Sequence, residues 1–338
     1  MRKAIRYFIL IVGLSVFGGF IYHAGLTEIF AGFRHLGWWL PLVLVPYGFV
    51  YVADSLGWYF AFGKNSTAGL SFFSLFLVRW TGEALNNVVP SAYIGGEALK
   101  AYLLNKKGTP LATAASAIVV GRTVQTLAQL VFIALGAIAF RQILSVAPGL
   151  WKGIFAVLIV GLMVVIVLFW LQIRGLFGGL WRLFKKLHIR LAILETENEH
   201  LHHIDRQIVE FYRTDRKYFA LSFGAYFIGW LFDTVEIYLT AYLLGIPMAW
   251  IQALAIESFV SVAKFLGLFV PGAIGVQEAG IVFLCRAAGL PDAFGITYAI
   301  IRRGREVVYA AIGWLIIYSK ETPLQGWVHK FVSEKRSA

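Results

Sequence analysis

The sequence predicts an all-α polytopic membrane protein, with six spanning helices and two re-entrant helical hairpins arranged as inverted repeats. Three observations predict it. Of 338 residues, 59% are apolar and only 14% charged, against about 45–50% and about 25% in a soluble domain, and the mean hydropathy is +0.74. Six apolar stretches are long enough to cross a bilayer, whose roughly 30 Å hydrocarbon core takes about 20 helical residues. Two further apolar stretches, each broken by proline, repeat one another 181 residues apart. So apolar a composition excludes a soluble globular protein, a disordered chain and a secreted disulfide scaffold. The lone cysteine, Cys285, excludes an intrachain disulfide and a cysteine-based zinc cluster.

The spanning stretches lie at about 5–24, 38–62, 111–139, 151–172, 218–244 and 293–319. Tyr22, Trp38, Trp39, Trp58, Tyr59, Trp151, Trp170 and Trp250 fall near their ends, where interfacial aromatics collect. The first follows Arg2, Lys3 and Arg6 as a secretory signal would. Phe20-Ile21-Tyr22-His23 offers no small-residue cleavage site, so a retained anchor is expected.

Charge sets the orientation. The net charge of +12 would suggest nucleic acid in a soluble protein. Here, with the N-terminus inside, the segments 1–6, 61–69, 100–109, 173–217 and the tail from Lys320 hold 20 of the 30 Lys and Arg residues. The outer segments hold Arg34, Arg141 and Lys152. The positive-inside rule then places both termini in the cytoplasm, and no nucleic-acid partner is expected. Within 173–217, Glu199, His200, His202, His203 and Asp205 match no zinc spacing. They read as the solvated face of an amphipathic linker helix, with no metal and no cofactor expected.

The two broken stretches, about 68–104 and 250–289, carry Val89-Pro90-Ser91-Ala92-Tyr93-Ile94-Gly95-Gly96-Glu97 and Val270-Pro271-Gly272-Ala273-Ile274-Gly275-Val276-Gln277-Glu278. From Val89 to Arg122 against Val270 to Arg303, 10 of 34 positions are identical without a gap, including Pro110 on Pro291 and Arg122 on Arg303. After Pro90 too few apolar residues remain before Lys106 and Lys107 to cross, so each stretch is expected to enter, break at Pro90 or Pro271, and return. Crossing parity makes the copies inverted. The chain thus divides into an N-terminal anchor helix and external loop (1–37), a first repeat (38–140) with a cytoplasm-entering hairpin, an extra span and cytoplasmic linker (141–217), a second repeat (218–320) with an externally entering hairpin, and a cytoplasmic tail (321–338).

Ionisable residues inside the apolar stretches include Asp54, Arg79, Glu83, Glu97, Arg122, Asp233, Glu236, Glu257, Lys264, Glu278, Arg302, Arg303, Arg305 and Glu306. Each costs about 2.5–3.5 kcal/mol at a helix centre on insertion scales, so they must pair or face water. Each return limb has a glutamate (Glu97, Glu278), and the next span has an arginine 25 residues on (Arg122, Arg303). These are either structural ion pairs or an anionic headgroup site. The density of Arg302, Arg303 and Arg305 tilts the second site toward phosphate, while Arg122 is expected to be structural. Asp54, Glu83, Asp233, Glu236 and Glu257 could couple protons or merely line the interior. No GxSxG, HExxH or P-loop motif occurs.

Asn86-Asn87-Val88-Val89-Pro90 with Gly95-Gly96-Glu97-Ala98-Leu99-Lys100 and Gly108 resembles the first signature of the flippase-like family that includes the membrane region of lysylphosphatidylglycerol synthases. Val270 to Glu278, then Gly289 and Arg302-Arg303, resembles its second. Arg79-Trp80 and Glu257-Ser258 resemble the hopanoid-biosynthesis-associated branch. The resemblance covers about residues 35–320. It implies movement of an anionic or polycyclic lipid across or out of the inner membrane. The synthases' lysyl-transferring domain would follow Lys320, where only about 18 residues stand here, so no aminoacyl transfer is expected. Membrane lipids are the expected partners. A non-catalytic accessory subunit working with lipid-biosynthesis enzymes, and a membrane-embedded lipid enzyme, are the competing functions.

Overall fold

The computed structural model describes residues 26–64, 70–88, 94–143, 148–175, 198–266 and 275–319. The expected first span, residues 176–197 of the linker, Pro90, Pro271, Gly272 and the tail lie outside the described residues. Those described are helical, with no strand among them: α1 (Leu26–Leu36), α2 (Leu40–Phe60), α3 (Phe72–Val88), α4 (Ile94–Lys106), α5 (Leu111–Ile143), α6 (Pro148–Ile173), α7 (Asn198–Thr214), α8 (Arg216–Leu243), α9 (Trp250–Leu266), α10 (Val276–Ala287) and α11 (Asp292–Ser319). The chain is an all-α polytopic membrane protein.

Three helical segments are apolar and long enough to cross a membrane by length and composition: Phe33–Phe60, Leu111–Arg141 and Arg216–Leu243. The 28-residue α11 is equally long, but Arg302, Arg303, Arg305 and Glu306 interrupt its apolar run. Residues 26–36, expected within an external loop, form α1 instead. Its Leu36 is fully buried beside Val43 of α2 and Ile301 of α11. Outward faces are apolar, as lipid contact requires: Phe49 on α2, Ile138 on α5, Met163 and Val167 on α6, and Leu315 on α11 all lie exposed.

Both broken stretches are antiparallel helix pairs. Asn86 of α3 meets Gly96 of α4, and further along Glu83 meets Lys100. In the second, Gly280 of α10 lies against Ala263 of α9, and Gln252 reaches Ala288. Each return limb ends on a glycine of positive φ, Gly108 (91°) or Gly289 (78°), a backbone state that glycine adopts without a Cβ penalty. Pro110 and Pro291 then precede the first residues of α5 and α11, where a missing N–H costs nothing.

The two halves interlock. α2 packs along α8 in antiparallel fashion: Gly57 sits on the Tyr226 ring, Gly229 on Asp54, and Phe49 stacks on Phe232. Each hairpin's first limb crosses to the long helix of the other half, α3 onto α11 and α9 onto α5. Trp80 donates to the Tyr309 carbonyl at 2.8 Å, and its ring stacks on that of Tyr309. The amphipathic α7 packs Ile204, Ile208 and Phe211 into the core around α5. It is tied there by Gln207 to Ser116 and Thr113, and by Tyr212 to Gln172.

Candidate functional site

The first cluster forms where α2, α3, α4 and α5 meet. Gly96 approaches α3 so closely that a Cβ would stand 2.3 Å from the Gly82 carbonyl, and its N–H donates to Asn86 Oδ1 at 2.8 Å. That approach puts Glu97 and Lys100 against Glu83 and Arg122. Glu97 Oε1 accepts from Arg122 Nε at 2.8 Å, from Arg122 Nη2, and from Lys100 Nζ at 3.0 Å. Glu83 Oε1 accepts from Lys100 Nζ at 2.6 Å and from Arg122 Nη2 at 3.1 Å. Gln125 links this group to a second pair, accepting from Arg122 and donating to Asp54 Oδ2, which Arg79 also holds at 2.6 Å. Lys100 Nζ lies 5.7 Å from the Trp58 ring centre, a cation–π distance.

This cluster borders a small cleft lined by Trp58, Arg79, Glu97, Lys100, Ile118, Arg122, Gln125 and Tyr226. Three cations and one carboxylate face it. The Arg122 side chain is 35% exposed, whereas Lys100 is 4% exposed.

The second cluster uses the equivalent pair differently. Glu278 accepts from Arg303 Nε at 2.7 Å and from Arg303 Nη2. Its other oxygen caps the start of α10, taking the Gly275 N–H at 2.7 Å. Gly275 itself has φ +83°. Arg303 also reaches Glu306 at 2.7 Å, and Lys264 stands 3.6 Å from Glu306. Successive helical residues turn by about 100°, so the three neighbouring arginines separate. Arg302 turns to Glu257 and the Tyr298 hydroxyl. Arg305 lies over the Tyr47 ring at 3.5 Å, with its Nη1 on Glu236 and 3.4 Å from Asp233.

The expected surplus of positive charge at Arg302, Arg303 and Arg305 is therefore not found. Arg302 and Arg305 are buried, 4% and 0% exposed, and each faces carboxylates other than Glu278 and Glu306. Arg303, at 26%, is the most open of the three. Both glutamate–arginine pairs form as the repeat predicts. Asp54 and Glu83 join the first cluster, while Asp233, Glu236 and Glu257 join the second. Of the proposed hairpin breaks, Gly95 and Gly96 fall in the first turn of α4 and Gly275 immediately precedes α10. Sequence reasoning missed Lys100 as a site residue, and Arg79 and Gln125 as its neighbours. The signal for Lys100 was its place three residues after Glu97 on one helix face. Among the described residues no three metal-binding side chains converge.

The family model for the lysylphosphatidylglycerol synthase TM region matches residues 6–313. The chain belongs to that family. The lysylphosphatidylglycerol synthase membrane-region match takes in both hairpins, both glutamate–arginine pairs and the cleft, so membership covers the whole candidate site. It also makes this a membrane domain of a lipid-related family. No curated protein matches, and no solved structure matches.

Proposed function

We propose that the protein moves an amphiphilic lipid with an anionic headgroup between the leaflets of a bacterial inner membrane, with both termini cytoplasmic, and that it does so without covalent chemistry. The observation that carries this is the cleft at the first hairpin, which Arg79, Lys100 and Arg122 line together with Glu97, and where the Arg122 side chain, though paired with Glu83 and Glu97, stays 35% exposed. Guanidinium groups bind phosphate through paired N–H donors. Trp58, Ile118 and Tyr226, buried behind the same walls, back the cations with apolar side chains. Arg122 rather than Arg303 is thus the headgroup residue in this proposal, the reverse of the order the sequence suggested.

The antiparallel α2 and α8, each followed by a hairpin, support inverted repeats. If the two spans run in opposite directions through the bilayer, their hairpins enter from opposite faces. A headgroup leaving one hairpin's cluster then has a related cluster facing the other leaflet. The family and the exposed apolar exterior support a membrane site of action.

The test is reconstitution of the pure protein in liposomes holding a fluorescent lipid in both leaflets, with an impermeant quencher outside. Movement of anionic reporter lipid faster than zwitterionic lipid is the expected result. No movement of either would leave the accessory-subunit function in its place.

A further inference from the structure

The two clusters differ in charge balance. In the first, Arg79, Lys100 and Arg122 meet Asp54, Glu83 and Glu97, three against three. In the second, Lys264, Arg302, Arg303 and Arg305 meet Asp233, Glu236, Glu257, Glu278 and Glu306, four against five. One carboxylate there is in excess. The closed end of the cluster lies at Asp233 and Glu236, one turn apart on α8, where both converge on the single nitrogen Arg305 Nη1. Glu236 is fully buried and its Oε1 has no hydrogen-bond partner; Nε and Nη2 of Arg305 likewise have none.

We propose that the Asp233–Glu236 pair binds one proton at neutral pH and is where proton movement is coupled to lipid movement. A buried carboxylate without its own countercharge neutralises rather than stay ionised. One proton added to the pair leaves one negative charge for Arg305, and the second cluster balances as the first does. Its release leaves two carboxylates on one guanidinium nitrogen, which favours a different packing of α8 against α11. A metal cation is the weaker occupant, since no three of these groups converge on a point.

The groups facing the pair are few. From α2 come Tyr47, under Arg305, and Asp54, beside Gly229. From α9 comes Glu257, already on Arg302. From α11 come Tyr298, Arg302, Arg305 and Tyr309, while α5 contributes the Phe132 ring stacked on Trp230. The helix α7 meets α8 at its other end, near Asp215. Arg305 is the cation shared by the pair itself.

The coupling half of this proposal rests on the transport reading, whereas the bound proton does not, so two measurements separate them. Infrared spectroscopy of the purified full chain at neutral pH should show the carbonyl stretch of a buried protonated carboxyl. Glu236→Gln should abolish that band, and Asp233→Asn should do so too if the first variant folds poorly. Glu97→Gln, in the balanced cluster, should leave it in place. A wild-type spectrum without the band, or a band that survives in both folded variants, overturns the proton site. In liposomes with an imposed pH gradient, wild-type lipid movement should respond to the gradient and the Glu236→Gln protein should not. A gradient response retained by Glu236→Gln overturns the coupling. Absence of lipid movement by wild type under every gradient overturns the transport reading and leaves the infrared result standing.

Discussion

The two hairpin clusters share a plan and differ in charge. In each, a return-limb glutamate holds an arginine 25 residues later, and the arginine also holds a residue three further on, Gln125 in one and Glu306 in the other. The repeat sets Glu83 opposite Lys264, and Lys100 opposite Ile281. Duplication thus kept the clamp that fixes each hairpin to its neighbour while the charges around it diverged. The first cluster is balanced and opens on a cleft; the second is closed at Arg305 and carries a surplus carboxylate. What a duplicated scaffold preserves is geometry, and function is written in the few positions where the copies disagree.

The largest effect is expected at Arg305. Arg305→Met strands Asp233 and Glu236 in a dry interior, and loss of one partner of a buried pair costs about 3–5 kcal/mol. Thermal unfolding in detergent should show a collapse in melting temperature, or no folded protein at all. Arg122→Met should cost less, because its side chain reaches the cleft. Equal losses in the two variants would erase the distinction between open and closed clusters.

Next comes the hairpin packing. Gly96→Ala drives a Cβ into the Gly82 carbonyl and Asn86 Oδ1, backbone and anchored amide that cannot easily retreat. Overpacking of this kind costs about 1–3 kcal/mol. Gly280→Ala meets Ala263 Cβ at 2.8 Å and should cost less. If Gly280→Ala lowers the melting temperature more, the first hairpin is the looser of the two.

A smaller effect sharpens the charge comparison. Lys100→Ile gives the first cluster the residue of the second and leaves Glu83 and Glu97 sharing Arg122. Adding Glu83→Gln should recover stability, with a coupling of about 1–3 kcal/mol in a double-mutant cycle. Additive losses would mean that Lys100 and Glu83 do not act as a pair.

Much of this was legible in the sequence. The 181-residue repeat predicted both glutamate–arginine pairs, because equal spacing on equal helices gives equal contacts. Composition predicted the helical membrane fold. Less legible were contacts between helices with no sequence relation: Arg79 with Asp54 across α3 and α2, and Arg305 with Asp233 and Glu236 across α11 and α8. Three arginines within four residues read as one positive patch only while the helix is drawn flat. Around the axis they point to three partners. The exchange of first limbs between the halves was equally hidden, since neither α3 nor α9 carries a mark of which long helix it will meet. The α1 helix was not legible because its 11 residues fall between two spanning stretches and are too short to read as a span.

The most direct test of the headgroup assignment compares Arg122→Gln with Arg303→Gln in liposomes, after both are shown to fold. A charge-assisted hydrogen bond contributes about 1.5–3 kcal/mol, so Arg122→Gln should slow movement of the anionic reporter lipid by about tenfold or more. Movement of zwitterionic lipid should change little, and Arg303→Gln should remain nearer wild type. A folded Arg122→Gln protein that moves anionic lipid at the wild-type rate would contradict the account.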